Sequence, residues 1–391
     1  MKKIAQRMQE IAPFRVMEIL ARARAMEAQG RDVVHMEIGE PDFVSPSPVL
    51  AAAAKALKAG KTHYTPAAGL GGLREAISGY YERRFGVNVD PGRILVTPGA
   101  SGALQLVLGV LVNPGDRVLV TDPGYPCNRH MIHLFGGQAV SLPVSMDTGF
   151  NLSETILGEG LQGGARALML ASPANPTGNL ISLDELRTLN AQLKGLPDTA
   201  LICDEIYQGL QYGTEPATAL SLADDNVVVI NSFSKFFGMT GWRVGWVVAP
   251  QVMIEPMERL AQNIFLAAPT VAQYAALAAF GDDNMEILEE RRQAFEARRD
   301  LLYAGISGLG LGVGKVPAGA FYIYANVEGL TKDSMAFTRE LLDKSGLAIT
   351  PGVDFGSHRA SQHVRFAYTT RLDRLAEGME RLSAFIRAGG D

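Results

Sequence analysis

The run Val227-Val-Val-Ile-Asn-Ser-Phe-Ser-Lys235-Phe-Phe-Gly-Met-Thr-Gly-Trp-Arg243 sets a strand, a turn and two cations in close succession. Residues 227–230 are β-branched and bounded by a polar turn, which predicts a short buried strand. Lys235 therefore stands beyond a strand's carboxyl end, where open α/β sheets place their ligands. Arg243 adds a fixed cation, and Ser232 and Ser234 add hydroxyls. Together these groups suit a ligand with both a carbonyl, which an amine attacks, and a phosphate. A surface loop that merely carries a lysine and an arginine is the plain alternative.

Similar strands recur on either side. The pattern predicts strands at 93–97, 116–121, 167–171, 200–203 and 244–248, with helices at 102–111, 128–135 and 183–193 between them. Such alternation implies an α/β fold, a mostly parallel sheet with helices on both faces. A charged, Ala-rich helix at 284–302 is long enough to bridge two domains. Beyond it come a strand at 320–325, a helix at 332–344, a strand at 363–367 and a helix at 371–387, a smaller α+β domain. The chain of 391 residues, 47% of them apolar, is long enough for two such cores.

Other strand ends carry groups that suit the same ligand. Gly99-Ala-Ser-Gly-Ala-Leu opens a helix after strand 93–97, so its N–H groups can hold a phosphate; an ordinary turn fits equally well. Ser172-Pro-Ala-Asn175-Pro-Thr-Gly178 follows strand 167–171 and also reads as a rigid turn. Cys203-Asp204-Glu205-Ile-Tyr207 ends strand 200–203, where Asp204 or Glu205 also suits a helix cap. Gly69-Leu-Gly-Gly misses the dinucleotide fingerprint, because Arg74 replaces its last glycine and no strand precedes it. It reads as a turn before a helix.

The lysine segment resembles the signature of the class I and II aminotransferases, fold type I enzymes that use pyridoxal 5′-phosphate, and the likeness spans nearly the whole chain. It implies a large domain with a mostly parallel seven-stranded sheet flanked by helices, plus the smaller α+β domain. The expected division is an arm with part of the small domain at 1–45, a cofactor-binding domain at 46–283, and an interdomain helix with the small domain at 284–391. By resemblance Lys235 forms an imine with the cofactor and moves the substrate's proton. Asp204 faces the pyridine nitrogen, and keeping that nitrogen protonated makes the ring an electron sink. Asn175 and Tyr207 reach the ring's 3′ oxygen, and Tyr125 covers one ring face. The backbone of Ala100 and Ser101, with Ser232 and Arg243, cups the phosphate. Tyr64 resembles the tyrosine that reaches the neighbouring subunit's phosphate, which implies a homodimer with shared active sites. Gly39, in Ile38-Gly-Glu-Pro-Asp-Phe43, and Arg365, in Val364-Arg365-Phe-Ala, resemble the residues that take the substrate carboxylate, together with Asn175. Pro351-Gly-Val-Asp-Phe-Gly356 is a further family-like loop.

The expected reaction moves an amino group between an L-amino acid and a 2-oxo acid. Phe14, Val16 and Tyr125 suggest a small or apolar side chain, although Arg15 swinging inward would admit aspartate. The rivals are an aspartate aminotransferase and another fold type I reaction, such as a carbon–sulfur β-lyase or a decarboxylase. A hydrolase lacks a nucleophile elbow, because Gly99-Ala-Ser-Gly-Ala and Gly305-Ile-Ser-Gly-Leu both miss its final glycine. His130 and His133 lack a third metal ligand. A net charge of -5 and the lack of a basic block argue against nucleic acid. No apolar run reaches membrane-spanning length, and the start Met1-Lys-Lys-Ile does not read as a signal peptide. Two well-separated cysteines, Cys127 and Cys203, suit a reducing cytoplasm.

Overall fold

The apolar runs pair edge to edge across long stretches of chain. In the computed structural model, which describes residues 4–196 and 198–389, the strands follow in chain order. They are β1 (Val34–His35), β2 (Ile94–Thr97), β3 (Arg117–Asp122), β4 (Gln138–Pro143), β5 (Ala167–Ala171), β6 (Ala200–Asp204), β7 (Val227–Ser232), β8 (Gly245–Val248), β9 (Tyr322–Asn326), β10 (Leu347–Ala348), β11 (Thr350–Pro351) and β12 (His363–Ala367). Seven of them form one sheet in the order β2-β8-β7-β6-β5-β3-β4. Only β8 runs against its neighbours.

The fold is thus α/β with a mostly parallel seven-stranded sheet. Each inner strand is apolar on both faces because helices cover both. Leu119, Leu201 and Val229 enter one core cluster, whereas Val118, Ile202 and Val228 enter the other. Helix Gly99–Leu111 packs on the second face, with Ala103, Val107 and Leu108 buried. Helix Gly71–Phe85 follows the Gly69 turn, as expected.

Three short strands are absent from the periodicity reading, since β1, β10 and β11 have two residues each. Strand β4 is also absent from it. It is an edge strand, half of it exposed and closed by Pro143, so it lacks the continuous apolar run of its neighbours. The charged helix runs Asp282–Gly308, further at both ends than its expected span. Its buried residues Leu288, Phe295, Leu302 and Ile306 form one apolar stripe. Strands β9, β11 and β12 form an antiparallel sheet, and β1 pairs with β10 in parallel, which joins residues from both ends of the chain. Among the described residues no helix is long and apolar enough to cross a membrane.

Candidate active site

The carboxyl ends of β2, β5, β6 and β7 open onto one cavity of about 250 Å3. Lys235 projects into it from the turn after β7, and its Nζ donates to the Gly39 carbonyl at 2.7 Å. Burial pulls this amine down to about 8; Arg365 and Arg243 push the same way, and Glu40 and Asp204 oppose them. Asp204, the last residue of β6, shares the cavity. Burial raises its carboxyl to about 6, against an Ile206 N–H donating to Oδ1 at 3.1 Å and the nearby Lys235.

The helix-cap reading of this segment fails for Asp204, because a turn and not a helix follows β6. Glu205 does cap, but at a distance. Its carboxylate accepts from Ala219 N–H, the start of the 3-10 helix Ala219–Leu222, and from Thr218 and Gln208. These contacts make Glu205 a structural acid, and they oppose the burial that pushes it up to about 7.

Tyr207 is one of two phenols in contact, its hydroxyl lying 2.9 Å from that of Tyr322. The sequence reading did not single out Tyr322, one aromatic among several in an apolar strand. A Cβ on Gly39 would overlap the Tyr322 hydroxyl, so the glycine is needed for close approach.

Arg365 lies on β12 with its guanidinium buried between the rings of Tyr322 and Phe355, 4.2 and 4.7 Å from their centroids. Nη1 donates to Asn175 Oδ1 at 2.9 Å, and Nη2 donates to the Glu37 carbonyl at 2.6 Å and Thr350 Oγ1 at 3.2 Å. Its buried Nε–H has no partner, and it forms no ion pair among the described residues. Its hydrogen-bond acceptors are all neutral and its Nε–H is free, so the guanidinium can still pair with an arriving carboxylate.

The other end of the cavity is a helix N-terminus. Ala100 and Ser101 line it in the first turn of helix Gly99–Leu111. Gly99 has φ +70°, and a Cβ there would lie 2.6 Å from an Arg243 guanidinium nitrogen. Gly245 pairs with Ser232 across β7 and β8, and a Cβ on it would meet Gly99 and Ala100 backbone atoms at 2.8 and 2.9 Å. Ser232 Oγ donates to the Val244 carbonyl at 3.2 Å and accepts the Ser234 N–H at 3.1 Å. Two glycines thus let an arginine and free helix N–H groups converge, a cradle that suits a phosphate. Together with an amine, a carboxylate and a phenol, the donor set fits a phosphorylated, carbonyl-bearing ring.

Residues 31–382 match the family model described as aminotransferase class I and II. The chain belongs to this family. It is 35% identical over 377 residues to a valine–pyruvate aminotransferase of Mycobacterium tuberculosis, covering 96% of this chain and 97% of that one. It is also 35% identical over 386 residues to a (5-formylfuran-3-yl)methyl phosphate transaminase of Methanocaldococcus jannaschii, covering 98% and 99% of the two chains. A solved aminotransferase structure from Mycobacterium tuberculosis superposes with a TM-score of 0.95 at 34% identity, covering 99% of this chain and 100% of that chain. The protein is therefore a transaminase.

In this aminotransferase Tyr125 lines the cavity and meets Phe14 edge-on, with centroids 6.3 Å apart. Phe14, Val16, Met17, Leu104 and Met131 give the cavity an apolar wall. Arg15 is exposed and does not line it, so Lys235 and Arg365 are the only Lys or Arg on its walls among the described residues. Tyr64 does not line the transaminase cavity of its own chain either; it is 84% exposed.

Proposed function

We propose that this transaminase uses pyridoxal 5′-phosphate to move an amino group between a small or apolar L-amino acid and a 2-oxo acid, as a cytoplasmic homodimer with shared active sites. The observation that carries the reading is the convergence of Lys235, Asp204 and Arg365 on a single cavity whose far end is a phosphate cradle. When bound, the cofactor supplies a carbonyl that condenses with amines and a ring that spreads negative charge from a neighbouring carbon.

The roles proposed for this chain's own residues follow from their surroundings. Ala100 and Ser101 N–H groups, Ser232 and Arg243 hold the phosphate. Asp204 is mostly ionised at neutral pH and keeps a proton on the ring nitrogen. Asn175 and Tyr207 hydrogen-bond the ring oxygen, and Tyr125 covers the ring face. Arg365 and Asn175, with the Gly39 backbone, orient the substrate carboxylate. Lys235 takes the proton from the substrate Cα at Nζ and returns it. With its amine near 8, about a tenth of Lys235 is neutral at pH 7, against one in a few thousand for an ordinary lysine. Tyr64 is exposed on its own chain and serves the partner's phosphate. We also propose the division 1–45, 46–283 and 284–391 as the units that meet at the cavity.

The apolar wall and the absence, among the described residues, of a further wall cation favour apolar substrates over aspartate. A screen of the twenty amino acids against pyruvate and 2-oxoglutarate tests this, with apolar donors expected to give the highest kcat/KM. Aspartate or glutamate at the head of the ranking would overturn it. Amino acid added without an acceptor is expected to convert the bound cofactor to pyridoxamine phosphate, whereas release of pyruvate and ammonia from cysteine conjugates would indicate a lyase.

A further inference from the structure

We propose that Asp354 is a specificity-positioning residue, whose carboxylate holds the first turn of helix Arg15–Glu27 and so shapes the wall against which a substrate side chain packs. The proposal rests on the apolar-pocket reading above. The helix starts without a cap of its own: its N-cap residue is Phe14, which makes no side-chain cap hydrogen bond. The first N–H groups of a helix find no acceptor within it, and burying them unpaired is unfavourable.

Asp354 supplies the acceptors from the far end of the chain. Its Oδ1 accepts Arg15 N–H at 2.8 Å and its Oδ2 accepts Val16 N–H at 3.1 Å. Its charge also sits at the positive end of the helix dipole. Asp354 is buried on the 3-10 turn Gly352–Asp354 that follows β11, so the acceptor is rigidly held. The turn that it caps brings Phe14, Val16 and Met17 to the cavity.

The remainder of the helix is anchored independently. Ile19, Ala23 and Met26 pack with Leu342 and Ala348, and Arg22 pairs with Asp343. Loss of Asp354 therefore frees the first turn while the later turns stay docked. A loosened wall costs a long side chain more than a methyl group, because only the long one reaches it.

The test is kcat/KM of the holoenzyme across alanine, 2-aminobutyrate, norvaline and norleucine, with thermal unfolding measured alongside. Wild type is expected to climb along the series. Asp354→Ala is expected to cut norleucine about fivefold to tenfold and alanine by about twofold at most. Asp354→Asn is expected to fall between, since its amide oxygen still accepts one N–H, and it carries the test if the alanine variant fails to fold. A climb that survives intact, or a loss equal for alanine and norleucine, overturns the role of Asp354 alone. A wild-type series with no climb overturns the apolar-pocket reading and the role together.

Discussion

Burial discourages charge on Lys235 and Asp204, Arg365 is a buried cation beside them, and each lends itself to a separate test. Lys235→Ala removes the only amine in the cavity among the described residues, so transamination should vanish while cofactor still binds through the phosphate cradle. The absorbance of the imine between Lys235 and the cofactor should be lost with it; substantial turnover by the variant would overturn the assignment. Asp204 differs because its raised value, about 6, lies within reach of experiment. Below that pH the carboxyl carries a proton and offers no negative charge. Capture of pyridoxal 5′-phosphate by the cofactor-free protein should therefore weaken as pH falls through about 6. Asp204→Asn should bind weakly without that step, and a wild-type affinity flat across the range counts against the role. Arg365→Ala should lower kcat/KM about a hundredfold for every amino acid and oxo acid alike, as loss of charged hydrogen bonds requires. A loss confined to one side-chain class would instead assign Arg365 to specificity.

At the scale of elements, the pairing of β1 with β10 carries a pH-sensitive contact. His35 on β1 lies between two carboxylates, with Nδ1 2.7 Å from Glu37 and Nε2 3.2 Å from Glu27. The bond to Glu37 is the main reason its imidazole is pushed up to about 9, against the opposing effect of burial. An unfolded histidine titrates near 6.5, so the folded state holds the proton more tightly. The resulting stability is fully present below about 6.5 and disappears as pH rises through about 9. The melting temperature should decline over that window, and His35→Gln should remove that part of the decline. An identical decline in the variant would assign the effect to other groups. The contact lies close to the chemistry, since the Glu37 carbonyl accepts from both Arg365 and Thr350.

Across the whole molecule, the parts of the chain meet through buried carboxylates. Asp122, at the end of β3, accepts from the N–H and hydroxyl of Ser357 and the N–H of His358. That contact ties the turn after β11 to the large sheet, and a Cβ on Gly356 would overlap Asp122. Tyr64 bears on assembly. If its hydroxyl serves the partner's cofactor, Tyr64→Phe should loosen the cofactor and leave substrate preference unchanged. Should a Tyr64 variant be inactive, mixing it with a Lys235 variant should restore activity, because a hybrid dimer holds one site with both defects and one with neither. Exchange of subunits without any return of activity would show that the sites are not shared.

The α/β class, the inner strands and the lysine turn were legible because their signals are local. A β-branched run ended by a turn, or a glycine before a helix, depends on residues a few positions apart, and strand Ala167–Ala171 and helix Leu183–Leu193 matched their expected bounds. Lys235, Asp204, Asn175, Tyr207 and Arg365, which line one cavity, were legible only as candidates, through motifs that resemble a known family. Their partners were not. Lys235 meets Gly39 across 196 positions, Arg365 meets Asn175 across 190, and Tyr207 meets Tyr322 across 115. The cap on helix Arg15–Glu27 comes from 338 positions away, and its own sequence shows only that it lacks one. Such contacts carry no periodicity, because what brings them together is the stacking of the sheet and helices. The chain thus names its candidate groups locally, while the tertiary fold decides which neighbours bury them and so how they ionise.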